Sequence, residues 1–406
     1  MKMYFDFRDV FKAPRLAFGF QRIWTNTLGI LLAGITYCLF SYLAFIINGL
    51  TVMDIFIRHG FFPFPSDEHM GTLAWVVWGI GVILAGLILL ITNTAVARLV
   101  YMQLRTEFFY SWQQAFRFSL KKSVSVIGAY FTFIFMIAFF VVSAVVMGFV
   151  GRIPAIGELI NAFLTIPYIF AGLLLAFIVL VAVLSILLIP AILATMDEEA
   201  LGGVFHSFSI VYNQPWRLAI YSSMVGILEI LAFIFYAAML KVGYLVFAAL
   251  FEIGMGEKFY RIAESSLAWV QQLTEPIAGS VQALLGHWTT YIFFSHPHTA
   301  MALNGTESFA AGIMAFFLLL LGLSVVGYAE ATGNAGLTLT FLVLYKKQEE
   351  ENLLEREDDE LREEEEESTG ETAGTLNMDE HTQDKNQEND ISSSAEGESN
   401  PSAEKD

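Results

Sequence analysis

Six long apolar runs constrain this chain more than anything else in it. They fall at about 27–49, 73–96, 124–148, 162–192, 218–250 and 309–345. Crossing ~30 Å of hydrocarbon takes about 20 mostly apolar residues in a helix, where every backbone polar group is satisfied internally. Each run meets that length. The sequence therefore predicts an all-α, polytopic membrane protein with about six transmembrane helices. Three runs exceed what a perpendicular helix needs, which tilt, a kink or continuation beyond the bilayer accommodates. Pro167, Pro190 and the Gly-rich stretch 327–336 are candidate interruption points.

Charge divides the chain in two. Of the formal net charge of −18, residues 346–406 supply −17, with 6 Lys/Arg against 23 Asp/Glu. The preceding body is nearly neutral, so no basic surface for nucleic acid exists. Cys38 is the only cysteine, which excludes an intrachain disulfide. The N-terminal stretch Met1–Arg22 alternates charged and aromatic residues, and no small-residue cleavage site follows a short apolar core. The first run is expected to act as an uncleaved insertion signal.

Lys and Arg cluster at alternate membrane ends. Lys2, Arg8, Lys12, Arg15 and Arg22 precede the first run, Arg98, Arg105, Arg117, Lys121 and Lys122 lie between the second and third, and Lys346 and Lys347 follow the last. The opposite loops are poorer, with Arg58, Arg152, Lys258 and Arg261. This bias predicts both termini in the cytoplasm. The expected organisation is a cytoplasmic amphipathic N-terminus (1–26), a six-span domain (27–345) with an outer amphipathic segment (252–308), a charged helical extension (346–367) and a disordered acidic tail (368–406). The tail's composition buries too little apolar surface to offset ordering entropy. It is a candidate docking site for a basic protein partner, or plain solvated chain.

A faint repeat overlies these spans. Ala17-Phe18-Gly19-Phe20 matches Ala115-Phe116-Arg117-Phe118, and Phe118-Ser119-Leu120 matches Phe208-Ser209-Ile210. Each copy is a short amphipathic stretch leading into a pair of spans, which suggests three hairpins, each preceded by an interfacial helix. Aromatic enrichment at membrane interfaces accounts for the same similarity without a repeat. A further amphipathic pattern covers about 257–288, with Phe259, Ala263, Val270, Leu273 and Ile277 on one face and Pro276 as a bend. It fits a helix lying along the outer leaflet, or a lid.

Residues 187–240 carry a more specific pattern. Pro190 ends a span, Asp197-Glu198-Glu199 follow, and a short helix runs through Gly203, Ser207, Ile210 and Asn213 to Trp216-Arg217. This resembles the bacterial family of glycerophosphoryl diester phosphodiesterase membrane domains and its relatives. The resemblance implies an all-helical domain of the bacterial cytoplasmic (inner) membrane with cytoplasmic elbow helices. It does not imply hydrolysis, because in the namesake enzymes a separate soluble barrel does the chemistry. Ser207 and Asn213 are expected to satisfy backbone groups where the chain turns back. Trp216 with Arg217, and Trp24 with Arg22, suit anchors at headgroup level.

Two carboxylates lie inside spans: Glu229 in the fifth and Glu330 in the sixth, four residues before Asn334. An intramembrane carboxylate is costly, which makes it a functional hypothesis. One reading is a proton-linked site. The other is a hydrogen-bonded carboxyl joining helices, with Asn93, Thr92 or Thr332 as partners. A break in the sixth helix would leave Glu330 near water. His59, His69, His287, His296 and His298 fall in outer loops with Asp67, Glu68 and Glu307, without a metal-ligand spacing. No nucleophile elbow, phosphate loop or dinucleotide fingerprint is present, so no cofactor is expected. The sequence reads first as a non-enzymatic scaffold or envelope component in contact with membrane lipids. A transporter or permease component using Glu229 and Glu330 is the alternative.

Overall fold

A computed structural model describes residues 3–65, 70–107, 109–285 and 299–356, with backbone alone over 275–285. Residues 1–354 form one compact unit. The described chain is all helical: α1 (Phe7–Val10), α2 (Ala13–Ala17), α3 (Phe20–Ile47), α4 (Val52–His59), α5 (Thr72–Leu104), α6 (Trp112–Lys121), α7 (Ser123–Val150), α8 (Ile156–Phe163), α9 (Thr165–Met196), α10 (Ala200–Asn213), α11 (Pro215–Met255), α12 (Glu257–Leu285) and α13 (Gly305–Glu349). Six of these, α3, α5, α7, α9, α11 and α13, are long and apolar enough to cross a membrane. The protein is a multi-pass membrane protein by that length and hydropathy, and its spans therefore contact lipid.

The order of elements repeats three times: a short elbow helix, a long helix, a further helix at the far end (8 residues in α4 and α8, 29 in α12), and a long helix back. The three units are α2–α5, α6–α9 and α10–α13. The pairs of spans and their leading helices follow the sequence expectation. The far-end helices α4 and α8 do not appear in that reading, because eight residues are too few for a periodicity to stand out.

The units interlock as a ring. Elbow α6 packs on α5 of the unit before it, and α10 packs on α7 and α9 of the unit before it. Elbow α2 packs on α13, so the first unit closes on the last. Each elbow makes more contact with the neighbouring unit than with the span it leads into. The second long helices of the three units, α5, α9 and α13, touch one another pairwise at the elbow end.

There they form a buried hub. Every residue of Thr94–Met102, Leu188–Met196 and Thr338–Tyr345 is buried, as is Ala331–Gly336. A helix buried on all faces needs small side chains for close approach, and these stretches are rich in Ala, Gly and Thr. The glycines show the requirement directly. A Cβ on Gly327 would stand 3.1 Å from both Ile23 O and Thr27 N of α3, and one on Gly336 would stand 2.7 Å from Val225 Cγ2. Gly148 and Gly172, out on α7 and α9, have nothing within 4 Å. Away from the hub, the hairpins expose apolar rows such as Phe131, Phe135 and Phe139 of α7. Of all α7, Val126, Ala129 and Phe133 alone are buried.

Two proposed interruptions leave the helices unbroken. α13 runs continuously through 327–336, because the glycines there are enclosed by α3 and α11. Pro190 sits inside α9, and the carbonyl it cannot bond, that of Ile186, accepts the Tyr130 hydroxyl at 3.1 Å. α12 is also continuous through Pro276. Its first half does not lie free along a surface: Phe259, Ile262, Ala263 and Leu267 are buried, and Ser266 Oγ donates to Ala311 O of α13 at 3.1 Å.

The charged stretch after Tyr345 departs from expectation sooner. α13 closes at Glu349, with Glu350 in a left-handed conformation, and residues 350–356 are not helical. The cause is local packing. Leu353 is buried, and its carbonyl accepts the Tyr101 hydroxyl at 2.8 Å, so the chain turns back onto α5 instead of extending. The tail from 357 onward lies outside the described residues.

Candidate functional site

The intramembrane polar residues gather where α11 crosses the hub. Leu218, Tyr221, Val225, Leu228 and Ala232 recur at three- and four-residue spacing and form the buried stripe of α11 facing α13. Glu229 stands next to Leu228 on this seam, opposite Gly333: a Cβ there would lie 2.8 Å from Glu229 Oε2. Glu330 lies one turn before Gly333, close enough for the two carboxylates to interact electrostatically. Both side chains are half-buried. Among the described residues, no hydrogen-bond donor reaches either carboxylate.

Asn334 is buried and donates through Nδ2 to Asn93 Oδ1 of α5 at 3.0 Å. The two asparagines thus pair with each other and hold α5 to α13. Thr92 and Thr332, expected as partners of the acids, direct their hydroxyls to Ile88 O (2.8 Å) and Tyr328 O (2.9 Å) of their own helices. Thr92 also fills the space beside Gly29 of α3. Two residues before Glu330, Tyr328 donates to Pro14 O at 3.1 Å, and its ring meets Phe18 and Tyr236 at 5.5 and 5.2 Å. The first elbow therefore ends on this polar layer.

A second set of contacts closes each hairpin at the elbow end. Arg22 of α3 donates to Gln103 at the end of α5. Lys122, before α7, pairs with Asp197 after α9 at 2.6 Å and donates to its carbonyl at 2.8 Å. Gln214, before α11, donates through Nε2 to Leu344 O of α13 at 3.0 Å. The three occupy equivalent places in the three units. Each joins the start of a unit's first span to the end of its second.

These contacts decide the four expected anchors. Trp216 is fully outward, at 81% exposure, and suits a lipid-facing position. Arg217 is exposed and donates to Gln214 Oε1 at 3.1 Å. Trp24 is half-buried and stacks on Phe20, with ring centroids 6.0 Å apart. Arg22 is half-buried and donates to Gln103 Oε1. Ser207 donates to Gly203 O within its own helix, at 2.8 Å, and Asn213 reaches Ser209 at 3.4 Å. Neither holds the turn; Gln214 does.

The sequence reading missed two further residues. Arg98 is fully buried, donates to Ala194 O near the end of α9 at 3.0 Å, and lies 4.2 Å above the Phe118 ring. A lone Arg within Ala95-Val96-Ala97-Arg98-Leu99-Val100 was the available signal. Asp9 is also fully buried and accepts from Tyr4 N (2.9 Å), Phe5 N (2.6 Å) and Lys12 Nζ (2.5 Å). Among the outer-loop candidates, His59 packs on Phe45 at 4.7 Å, and Glu307 accepts from Arg261 at 3.3 Å. Asp67, Glu68, His69, His287, His296 and His298 lie outside the described residues. No cluster of metal-ligating side chains occurs among the described residues.

Comparison with protein-family models, with curated proteins and with solved structures returns no match to this chain.

Proposed function

We propose that this chain is a non-enzymatic scaffold or envelope-associated component of the bacterial cytoplasmic membrane, with both termini cytoplasmic and lipid contacted through its elbow helices. The observation that carries this reading is the closed packing around the polar layer. A methyl group on Gly333 would stand 2.8 Å from Glu229 Oε2, Asn334 is hydrogen-bonded to Asn93, and elbow α2 closes the ring. A rigid hub with splayed hairpins suits a protein that holds its place in a membrane. The pattern at 187–240 that resembles the glycerophosphoryl diester phosphodiesterase membrane domains supports the same reading, since it implies elbow helices without a hydrolase. The Lys and Arg bias supports the orientation.

A second reading, a transporter or permease component, is favoured by one observation: two neighbouring half-buried carboxylates with no donor among the described residues. One experiment separates the two. The wild type and the Glu229→Gln and Glu330→Gln variants are placed in liposomes, and thermal stability is measured beside intrinsic fluorescence across a pH titration from about pH 5 to 8. The scaffold reading expects Gln to be tolerated within about 1 kcal/mol at each site and the fluorescence to be flat with pH in all three. A pH response of the wild type that vanishes in stable Gln variants would replace it with the transporter reading.

A further inference from the structure

The three elbows occupy equivalent places, but their surfaces differ in charge. The first exposes Tyr4, Phe7, Phe11, Phe18 and Phe20, with Arg15 exposed among them. The second exposes Leu120, and Val124 just beyond it, with Arg117 exposed one turn before Leu120. Among the described residues, no acidic group pairs with Arg15 or Arg117. The third exposes Leu201, Phe205, Tyr212 and Trp216, yet it follows Asp197-Glu198-Glu199, 197–213 contains no Lys or Arg, and Arg217 beside Trp216 is held on Gln214 Oε1 at 3.1 Å. All three elbows thus offer apolar surface of the kind that sits at the headgroup boundary, and two add an exposed guanidinium with no side-chain partner among the described residues. Such a cation on an apolar bed fits a phosphate carried at the edge of an acyl layer.

We propose that the first two elbows bind anionic phospholipid headgroups, Arg15 and Arg117 each contacting a phosphate, while the third elbow takes lipid without charge preference. This rests on the reading that the elbows contact lipid, and it adds which lipid and at which elbows. Ring closure gives the selection a structural consequence. The Arg15 elbow packs on α13, and the Arg117 elbow packs on α5, so anionic lipid would bind at two of the three seams between units.

The test is lipid retention. The full chain is reconstituted in vesicles equimolar in phosphatidylglycerol and phosphatidylcholine, extracted in mild detergent, and the lipid that remains bound is identified and counted. The expected result is enrichment of phosphatidylglycerol that falls with added salt. Arg15→Gln and Arg117→Gln should each lower the enrichment, by up to about fivefold per arginine near the surface. Trp216→Ala should lower total lipid and leave the ratio unchanged. Both arginines are exposed, so the variants keep the wild-type melting temperature, and a melting curve on each checks this. Equal retention of the two lipids by the wild type would overturn the anionic selection while leaving lipid contact intact. An enrichment that survives both substitutions would overturn the assignment to these elbows. Loss of no lipid in Trp216→Ala together with the double arginine variant would overturn elbow–lipid contact itself.

Discussion

The hub and the hairpins that leave it are built from the same six helices under different rules. In the hub, α5, α9 and α13 are buried on all sides, and specificity lies in glycine, threonine, asparagine and a single arginine. In the hairpins, α7 buries three residues of its 28 and turns phenylalanine and valine outward. The difference follows from the solvent. Lipid tails are as apolar as leucine, so apolar side chains gain little by leaving lipid for another helix. Close backbone approach and interhelical hydrogen bonds supply the contact instead. Apolar residues therefore set where a span lies, and small and polar residues set what it touches.

The largest expected break in this contrast is Arg98→Leu. It leaves the Ala194 carbonyl unsatisfied inside the hub and removes the cation from the Phe118 ring, for a loss of about 3 kcal/mol. Unfolding of the purified protein in mixed micelles measures it. A change below the error of that measurement would show that the hub does not depend on its buried cation.

Glycine substitutions sharpen the comparison at matched chemistry. Gly327→Ala forces a methyl group against the α3 backbone and is expected to lose about 1–3 kcal/mol. Gly172→Ala meets open space, and the better helix former should leave stability equal or slightly higher. The same unfolding assay reads both. Equal losses would mean that the hairpins are as tightly enclosed as the hub.

Tyr130→Phe probes the border between the two regions. The hydroxyl satisfies the carbonyl freed by Pro190, so about 1 kcal/mol should be lost. Pro190→Ala in the Tyr130→Phe background restores the backbone bond and should recover most of it, which a double-mutant comparison would reveal.

The smallest effect is expected at the far end, at α4. Thr51 and Asp54 form a capping box, and the hydrogen bonds from Thr51 hold the Asp54 carboxyl below the usual aspartate range. The contribution is present above the ordinary aspartate value and is lost as pH falls through the lowered folded value. Amide protection in 52–59, taken relative to the intrinsic exchange rate at each pH, should therefore weaken only in acid, and Thr51→Ala should remove that dependence.

The spans were legible because an apolar run of about 20 residues has almost no stable fate except a membrane helix. The elbows were legible because short amphipathic stretches with aromatic residues recur before each pair of spans. Asn93 and Asn334 were legible as polar residues at membrane depth, but their pairing with each other was not, since Asn93 was expected to partner a carboxyl. The contact of Arg22 with Gln103 was not legible, because sequence spacing does not pick out a partner 81 residues away. Arg98 was hidden among residues counted only for charge bias. The end of α13 was misjudged for a related reason. Residues 346–349 continue α13, and the buried Leu353 turns 350–356 back onto α5 against a helix-favouring composition.

The docking of Tyr328 on the Pro14 carbonyl joins residues 314 positions apart in the chain. On a ribosome adding about 5–20 residues per second, that separation is roughly 15–60 s of synthesis. The first elbow emerges early and has no seat until the last span has been delivered. During that interval, Val10, Ala13 and Ala17, which end fully buried, must be sheltered by lipid or by a chaperone. Assembly of this protein therefore finishes at its beginning, and a nascent chain halted before α13 would be left with its first elbow undocked.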